Sequence, residues 1–224
     1  MQARTGICLT PSMPAIDDLK QRLTQETDRI VRGGEDIRAR ISHLTAGAAT
    51  QFHQAAAGFN DIAQAVATGA VQGAEAALPE GRESRLREVV AGLMDGLRTA
   101  AEAVELTLQE STAAGRKFAE EDLQKAHADL RTVAGLFTES AGGFVEKLGG
   151  AAAGQTTSLR DHAERAYQQS RPSVEKALTS LWNHLGEVGR ETGQAGLSAA
   201  RSASGTLFTE LGERLTKLGR KLRE

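Results

Sequence analysis

The sequence predicts an all-α protein, an elongated antiparallel helical bundle or coiled coil of about five or six long amphipathic helices. Three observations predict it: apolar residues recur every eleven positions, prolines are few, and aromatic residues are scarce. The 224 residues include four prolines, and aromatic residues make up 4% of the chain. Because aromatic side chains supply much of the buried area of a compact core, their scarcity favours thin helix–helix interfaces.

The longest apolar stripe runs from Leu86 to Leu148, and no proline interrupts it. Eleven residues fill three helical turns at about 3.67 residues per turn, so the stripe runs nearly straight along a helix and coils only slightly, right-handed. Its first row is Leu93, Val104, Gly115, Ala126, Phe137 and Leu148, and its second row is Leu86, Leu97, Leu108, Ala119, Leu130 and Ala141.

The first helical region is predicted over residues 15–78, after a disordered N-terminal tail at residues 1–14 in which the chain can start at Met1 or Met13. The spacing of eleven recurs in this region. Proline cannot continue a helix, so the region is predicted to end at the Leu78-Pro79-Glu80-Gly81 segment. The row in this first region is Leu19, Ile30, Ile41, Phe52 and Ala63.

The central region, residues 82–148, is predicted to be either one long helix or a helical hairpin. A break near Gly115 favours the hairpin, because the stripe thins there and the acidic run at 120–122 suits the first turn of a new helix. The glycines between residues 142 and 154 predict a joint after this region. They lack the lysine and hydroxyl residues of a phosphate-binding loop.

The C-terminal helical region is predicted over residues 155–224, with Pro172 starting a helix that Ser170 or Arg171 caps. Its basic amphipathic end is the candidate binding site. Leucines share one face there, and cationic side chains surround them, as in helices that lie on an apolar surface. Packing of this face inside the bundle is the alternative. The predicted surface-binding residues are Leu207, Phe208, Leu211, Leu215, Lys217, Leu218, Arg220, Lys221 and Leu222.

Composition and motifs predict a protein that is not an enzyme and that uses no metal or cofactor. The net charge of −2 gives no basic field for nucleic acid. Cys8 is the single cysteine, the five histidines are scattered, and no motif of a nucleophile or a metal site occurs. Without a long apolar run, the expected location is the cytoplasm, peripheral to a granule or membrane surface.

Residues 101–140, AEAVELTLQESTAAGRKFAEEDLQKAHADLRTVAGLFTES, resemble a segment of an uncharacterised proteobacterial family of all-helical proteins. That resemblance implies a helical fold and no particular role. A second resemblance is to the phasins, which coat bacterial polyester granules, and apolipoprotein-like chains share the eleven-residue periodicity. The residues similar to the phasin pattern are Ala163, Ala166, Tyr167, Pro172, Val174 and Ala177.

The continuous apolar stripe and the basic C-terminal helix predict a non-enzymatic, phasin-like or apolipoprotein-like protein that binds a hydrophobic granule, lipid or membrane surface through amphipathic helices. The alternative is a coiled-coil scaffold or adaptor that acts through self-association or a partner helix. In either case a homo-oligomer is expected, and the partner is a surface or a helix rather than nucleic acid.

Overall fold

In the computed structural model of the protein, the described residues are 16–54, 59–76, 79–114, 118, 120–138, 156–195 and 211. They are helical apart from short turns, and the predicted all-α bundle is confirmed. The predicted tail at 1–14 and the glycine-rich joint at 142–154 lie outside these residues. The helices are α1 (Ile16–Gly33), α2 (Ile37–Gln54), α3 (Phe59–Glu75), α4 (Pro79–Ala113), α5 (Glu120–Thr138) and α6 (Thr156–Ala195).

A three-residue turn at 34–36 separates α1 from α2. Gly34 has a φ of 77°, and its N–H donates to the Ile30 carbonyl at 3.1 Å, which ends α1 in the left-handed conformation that glycine adopts readily. Asp36 has a φ of 47°, and its carbonyl accepts the N–H of Arg40 at 3.0 Å, the first bond of α2. The two helices therefore fold back on each other as an antiparallel hairpin.

Helices α1 and α3 lie side by side and run parallel. Lys20 pairs with Asp61 at 2.5 Å, and further along both helices the Thr24 hydroxyl donates to the Ala65 carbonyl at 3.2 Å. Gly69 lets the backbones approach, because a Cβ atom on it would lie 2.3 Å from the Thr24 carbonyl oxygen. One helical turn later, a Cβ on Gly73 would lie 2.7 Å from the Asp28 carbonyl oxygen.

Helices α2 and α4 repeat this arrangement. A Cβ atom on Gly92 would lie 2.4 Å from the Arg38 carbonyl oxygen, and one on Gly96 would lie 2.7 Å from the Ser42 carbonyl oxygen. Glycines four residues apart share one face of a helix, so each pair opens a flat strip against its neighbour. Two antiparallel hairpins, α1–α2 and α3–α4, therefore stack in the same orientation.

Arg85, near the start of α4, ties the two hairpins together. Its guanidinium Nη1 donates to the carbonyl oxygens of Val31 and Arg32, at 2.9 Å for Arg32. These carbonyls belong to the last turn of α1, where the helix provides no N–H partner and a cation complements the helix dipole. Arg85 thus caps one hairpin from the other.

Helix α6 packs along the other side of α4, again in parallel. Ser158 donates to Glu83 at 2.9 Å, Ser173 donates to Glu102 at 3.0 Å, and Thr112 lies 2.8 Å from the His184 ring. Residue numbers on both helices rise together along this contact. Helix α5 is the next helix described after α4, begins with Glu120, Glu121 and Asp122, and packs on α6.

Pro172 lies inside α6, so the expectation that it starts a helix is wrong. Proline lacks the N–H that would donate to a carbonyl of the preceding turn. The helix continues all the same, and it packs on α4 on both sides of Pro172. Buried Tyr167 precedes it and buried Val174 follows it. Ser170, expected as a cap, instead donates its hydroxyl to the Met94 carbonyl on α4 at 3.2 Å.

Among the helices that the structure describes, none combines the length and apolar character needed to cross a membrane. The apolar side chains instead form one core that extends through the described bundle. Its largest fully buried members come from helices α2 to α6 and are Ile41, Ile62, Leu86, Leu93, Met94, Leu97, Leu108, Leu123 and Leu159.

Candidate functional site

The predicted binding residues between Leu207 and Leu222 lie outside the described residues, except for Leu211. Leu211 is helical and 5% exposed, and it belongs to the core formed by the other helices. In this conformation Leu211 therefore packs against the bundle and does not face solvent.

The eleven-residue stripe is buried wherever its side chains are described. On α4, Leu86, Leu97 and Leu108 are at most 1% exposed, and Leu93 and Val104 are 0% and 5% exposed. On α5 the stripe continues through Ala126 and Leu130, also buried. The stripe is thus the inner face of the bundle, and any external surface can reach it only after the helices separate.

Helix α6 carries a second stripe of the same period, which the sequence reasoning missed. Leu159, Ser170 and Leu181 are eleven apart, and so are Ala163, Val174 and Leu185. All of these residues are buried except Leu185, which is partly buried against the core. The regular spacing of eleven among these residues would have predicted this stripe from the sequence. The buried stripes of α4 and α6 thus belong to the same core, and the two helices pack along each other.

Polar side chains line the edges of this α4–α6 contact. Lys176 Nζ lies 2.7 Å from Glu105 Oε1, and the Glu105 side chain is 9% exposed whereas Lys176 is 66% exposed. Gln109 also donates to Glu105 at 2.8 Å. The carboxylate is thus satisfied from both helices while the ammonium stays in water. Such a contact fixes the register of α6 on α4 but contributes little net stability.

His162, on α6, is held in the same contact. Its Nε2 is buried without a hydrogen-bond partner among the described residues, and the ring hydrogen-bonds the backbone of Arg87. Burial lowers the pKa of His162, and the positive charges of Arg165, Arg87 and Arg38 lower it further, whereas the backbone hydrogen bond opposes them. The neutral ring is therefore the form that fits between α4 and α6.

Two buried threonine hydroxyls also lack partners in the described part of the bundle. They are Thr27 Oγ1 on α1 and Thr45 Oγ1 on α2. Thr27 and Thr45 face Gly69 and Gly96, whose added Cβ atoms would lie 2.7 Å from the threonine Cβ atoms. Each unsatisfied hydroxyl costs about 1–3 kcal/mol. Separation of these helices would return both hydroxyls to water.

Two large apolar side chains are exposed on the described surface, namely Trp182 at 66% and Leu106 at 46%. The Trp182 ring on α6 lies 5.6 Å from the His127 ring on α5, tilted by 43°. Its exposure leaves an aromatic group available for contact outside the bundle.

Within the described residues, no group of three histidine, cysteine, aspartate or glutamate side chains is placed to hold a metal ion. The residues that resemble the phasin pattern, apart from the exposed Pro172, form part of the packed face of α6. Ala163, Tyr167, Val174 and Ala177 are at most 3% exposed there, and Ala166 is partly buried.

The turn between α1 and α2 and the close helix contacts at the glycines of α3 and α4 were also not predicted from the sequence. Gly33-Gly34 followed by Glu35-Asp36 was a signal for the turn, because glycine ends helices and aspartate begins them. The pairs Gly69/Gly73 and Gly92/Gly96 were signals for close helix contact through their spacing of four.

A family of unknown function, DUF6781, matches residues 12–212 of the chain. This match covers every helix described above. No curated protein and no solved structure matches the chain.

Proposed function

Because this chain belongs to DUF6781, a family of unknown function, we propose its role from its own geometry: a non-enzymatic, phasin-like or apolipoprotein-like binder of hydrophobic surfaces. In this proposal the bundle opens along the α4–α6 contact. The stripes of α4 and α6 then lie on a granule, lipid or membrane surface. The protein would act in the cytoplasm, peripheral to that surface, without a cofactor.

The observation that carries the proposal is the pair of straight eleven-residue stripes that are buried in one core on α4 and α6, two helices that pack on each other. A stripe that coils strongly around its helix cannot lie flat, whereas a period of about 3.67 residues keeps an apolar face on one side of the helix over many turns. Each stripe is therefore suited equally to a second helix and to a planar apolar surface.

The kind of contact at each helix pair supports opening between α4 and α6 rather than elsewhere. Glycines interlock α1 with α3 and α2 with α4, so those pairs part only with loss of close backbone contact. The described edges of the α4–α6 contact are polar. Ser158, Ser173 and Lys176 would exchange partners on α4 for water when α6 leaves.

Trp182 supports the same proposal as a first contact with the surface. An indole sits favourably where an apolar phase meets water, because its ring is apolar and its N–H is a donor. Trp182 lies on α6, the helix that would move.

Flotation with lipid vesicles or polyester particles tests the proposal. After Cys8→Ser removes the single cysteine, the Glu102→Cys/Ser173→Cys variant can be cross-linked with a short bis-maleimide, because these side chains meet at 3.0 Å across the α4–α6 contact. The matched control is Arg171→Cys/Glu175→Cys, which cross-links two positions one turn apart on α6 alone. The α4–α6 cross-link should abolish flotation, and the control cross-link should leave it unchanged.

The predicted C-terminal site is tested separately by truncation after Gly205. Loss of flotation with unchanged helicity would assign surface binding to residues 207–222. Unchanged flotation would assign it to the α4 and α6 stripes alone.

The second candidate function is a scaffold or adaptor that acts through self-association or a partner helix. Burial of Leu211 in the same core as the stripes favours it, because the apolar faces of the described helices are then covered without any external surface. A scaffold should show a fixed oligomeric mass by light scattering and no gain of helicity on addition of vesicles. A surface binder should float and should gain helicity.

A further inference from the structure

An open groove of about 470 Å³ lies between α1 and α2, on the first hairpin and away from the α4–α6 contact. Its volume is within the range of about 300–1,000 Å³ typical of small-molecule sites. Apolar side chains form its floor, and they are 3–7% exposed apart from Leu44, which is partly buried. The floor residues are Leu19, Leu23, Leu44 and Ala48.

Gly47 on α2 keeps this groove open. It is exposed, it lines the groove, and a Cβ atom added to it would meet no atom within 4 Å. Glycine inside a helix costs about 0.5–1 kcal/mol relative to alanine. At Gly69 and Gly92 close backbone contact accounts for that cost, but no contact accounts for it at Gly47. The space itself is what the glycine provides.

Cationic side chains lie at the edge of the groove. Arg29 is hydrogen-bonded to Glu26, so these two charges balance each other. Arg22 has no ion pair or hydrogen bond within the described part of the chain, and His43 lies on the α2 side of the same groove. Two guanidinium groups and one carboxylate thus line the groove, and this excess of positive charge beside apolar side chains suits a molecule with an alkyl chain and one anionic end.

We propose that this groove binds one free fatty acid, with its alkyl chain along Leu19, Leu23 and Leu44 and its carboxylate at Arg22. The site exists in the closed bundle and does not depend on opening at α4–α6, so it goes beyond the surface binding proposed above. The ligand is a single dissolved molecule rather than a lipid surface.

Isothermal titration of the full chain with dodecanoate, below its micelle-forming concentration, tests the proposal. Saturable binding of one dodecanoate per chain is expected. Gly47→Leu should fill the groove without a clash and lower the affinity at least about tenfold. Gly186→Leu is the matched control, because Gly186 is also exposed with no atom within 4 Å of an added Cβ, but lies on α6 and outside the groove.

The carboxylate contact is tested with Arg22→Gln and with dodecanol. The wild-type chain should bind dodecanoate about tenfold more tightly than dodecanol, and Arg22→Gln should remove that difference. The cross-linked Glu102→Cys/Ser173→Cys variant should still bind dodecanoate, and Gly47→Leu should still float with vesicles. Failure of this proposal is thereby distinct from failure of the surface-binding proposal.

The inference would be overturned by the absence of saturable binding, by equal affinities of Gly47→Leu and the wild-type chain, or by equal losses of affinity in Gly47→Leu and Gly186→Leu. A change of molar mass in Gly47→Leu by light scattering would also overturn it. That result would assign the groove to a helix of a second copy.

Discussion

Gly92 on α4 lies against Ile41 on α2 so closely that a Cβ atom on the glycine would stand 2.9 Å from the Ile41 Cβ. The same atom would stand 2.4 Å from the carbonyl oxygen of Arg38, which is backbone and cannot move aside as a side chain end can. Contact between α2 and α4 at this distance therefore requires a residue without a side chain.

Gly92→Ala should destabilise the protein although alanine favours helix formation. The added Cβ should push α2 away from α4 and lower the unfolding free energy by about 1–3 kcal/mol, as overpacking of a tight interface does. Gly47→Ala is the matched control in α2, and since its added Cβ meets open space it should stabilise by about 0.5–1 kcal/mol. Urea unfolding followed by circular dichroism measures both changes. Equal effects of the two substitutions would contradict the glycine contact.

Arg85→Met should lower the unfolding free energy by about 1.5–3 kcal/mol, because the last carbonyls of α1 lose a charged donor. Methionine keeps much of the aliphatic stem, so the loss reports the hydrogen bonds. Arg98→Met is the control, since Arg98 makes ion pairs of 3.7 Å on the exposed side of α4 and should cost at most about 1 kcal/mol. A smaller effect at Arg85 than at Arg98 would be inconsistent with the proposed cap.

The spacing of eleven predicted which side chains are buried better than it predicted where helices end. Leu19, Ile30 and Ile41 are all buried, yet the turn at 34–36 lies between the last two. A short turn between antiparallel helices leaves the inward direction unchanged, so the apolar row continues across it. Periodicity alone therefore could not separate α1 from α2.

Gly92 and Gly96 lie beside the α4 stripe, and their spacing of four signals a close helix contact. Which neighbouring backbone comes close there cannot be predicted from residue spacing within one helix. The α1–α2 groove and the Arg85 cap depend on contacts between separate helices, so the sequence alone could not predict them.

Unfolding free energy should fall on acidification because of His162. The pKa of this group is lowered in the folded protein, chiefly by burial, from about 6.5 in the unfolded chain. The stabilisation is fully present above about pH 6.5 and is lost as the pH falls from there towards the folded-state pKa, since the unfolded chain binds the proton more readily. His162→Gln should flatten this dependence in urea unfolding between about pH 5 and pH 7. An unchanged slope in the variant would rule out His162 as the cause.

Lys176→Met should loosen α6 from α4. After the change the nearly buried Glu105 carboxylate keeps its hydrogen bond from Gln109 but has lost its cationic partner. The unfolding free energy should therefore fall by about 1 kcal/mol. If opening at this contact exposes the stripes, the variant should also float with vesicles at lower vesicle concentration. Arg171→Met is the control, because Arg171 pairs with Glu175 on its own helix. If both variants and the wild-type chain float equally, the Lys176–Glu105 ion pair does not control opening of the α4–α6 contact.

In the proposed function the α4 and α6 stripes leave the core of the bundle for an apolar surface. Flotation of the Glu102→Cys/Ser173→Cys variant with vesicles, before and after cross-linking, tests this opening most directly. The variant should float before cross-linking and stay in the soluble fraction after it, and the Arg171→Cys/Glu175→Cys control should float in both states. Flotation of the Glu102→Cys/Ser173→Cys variant to the same extent before and after cross-linking would contradict the proposed function.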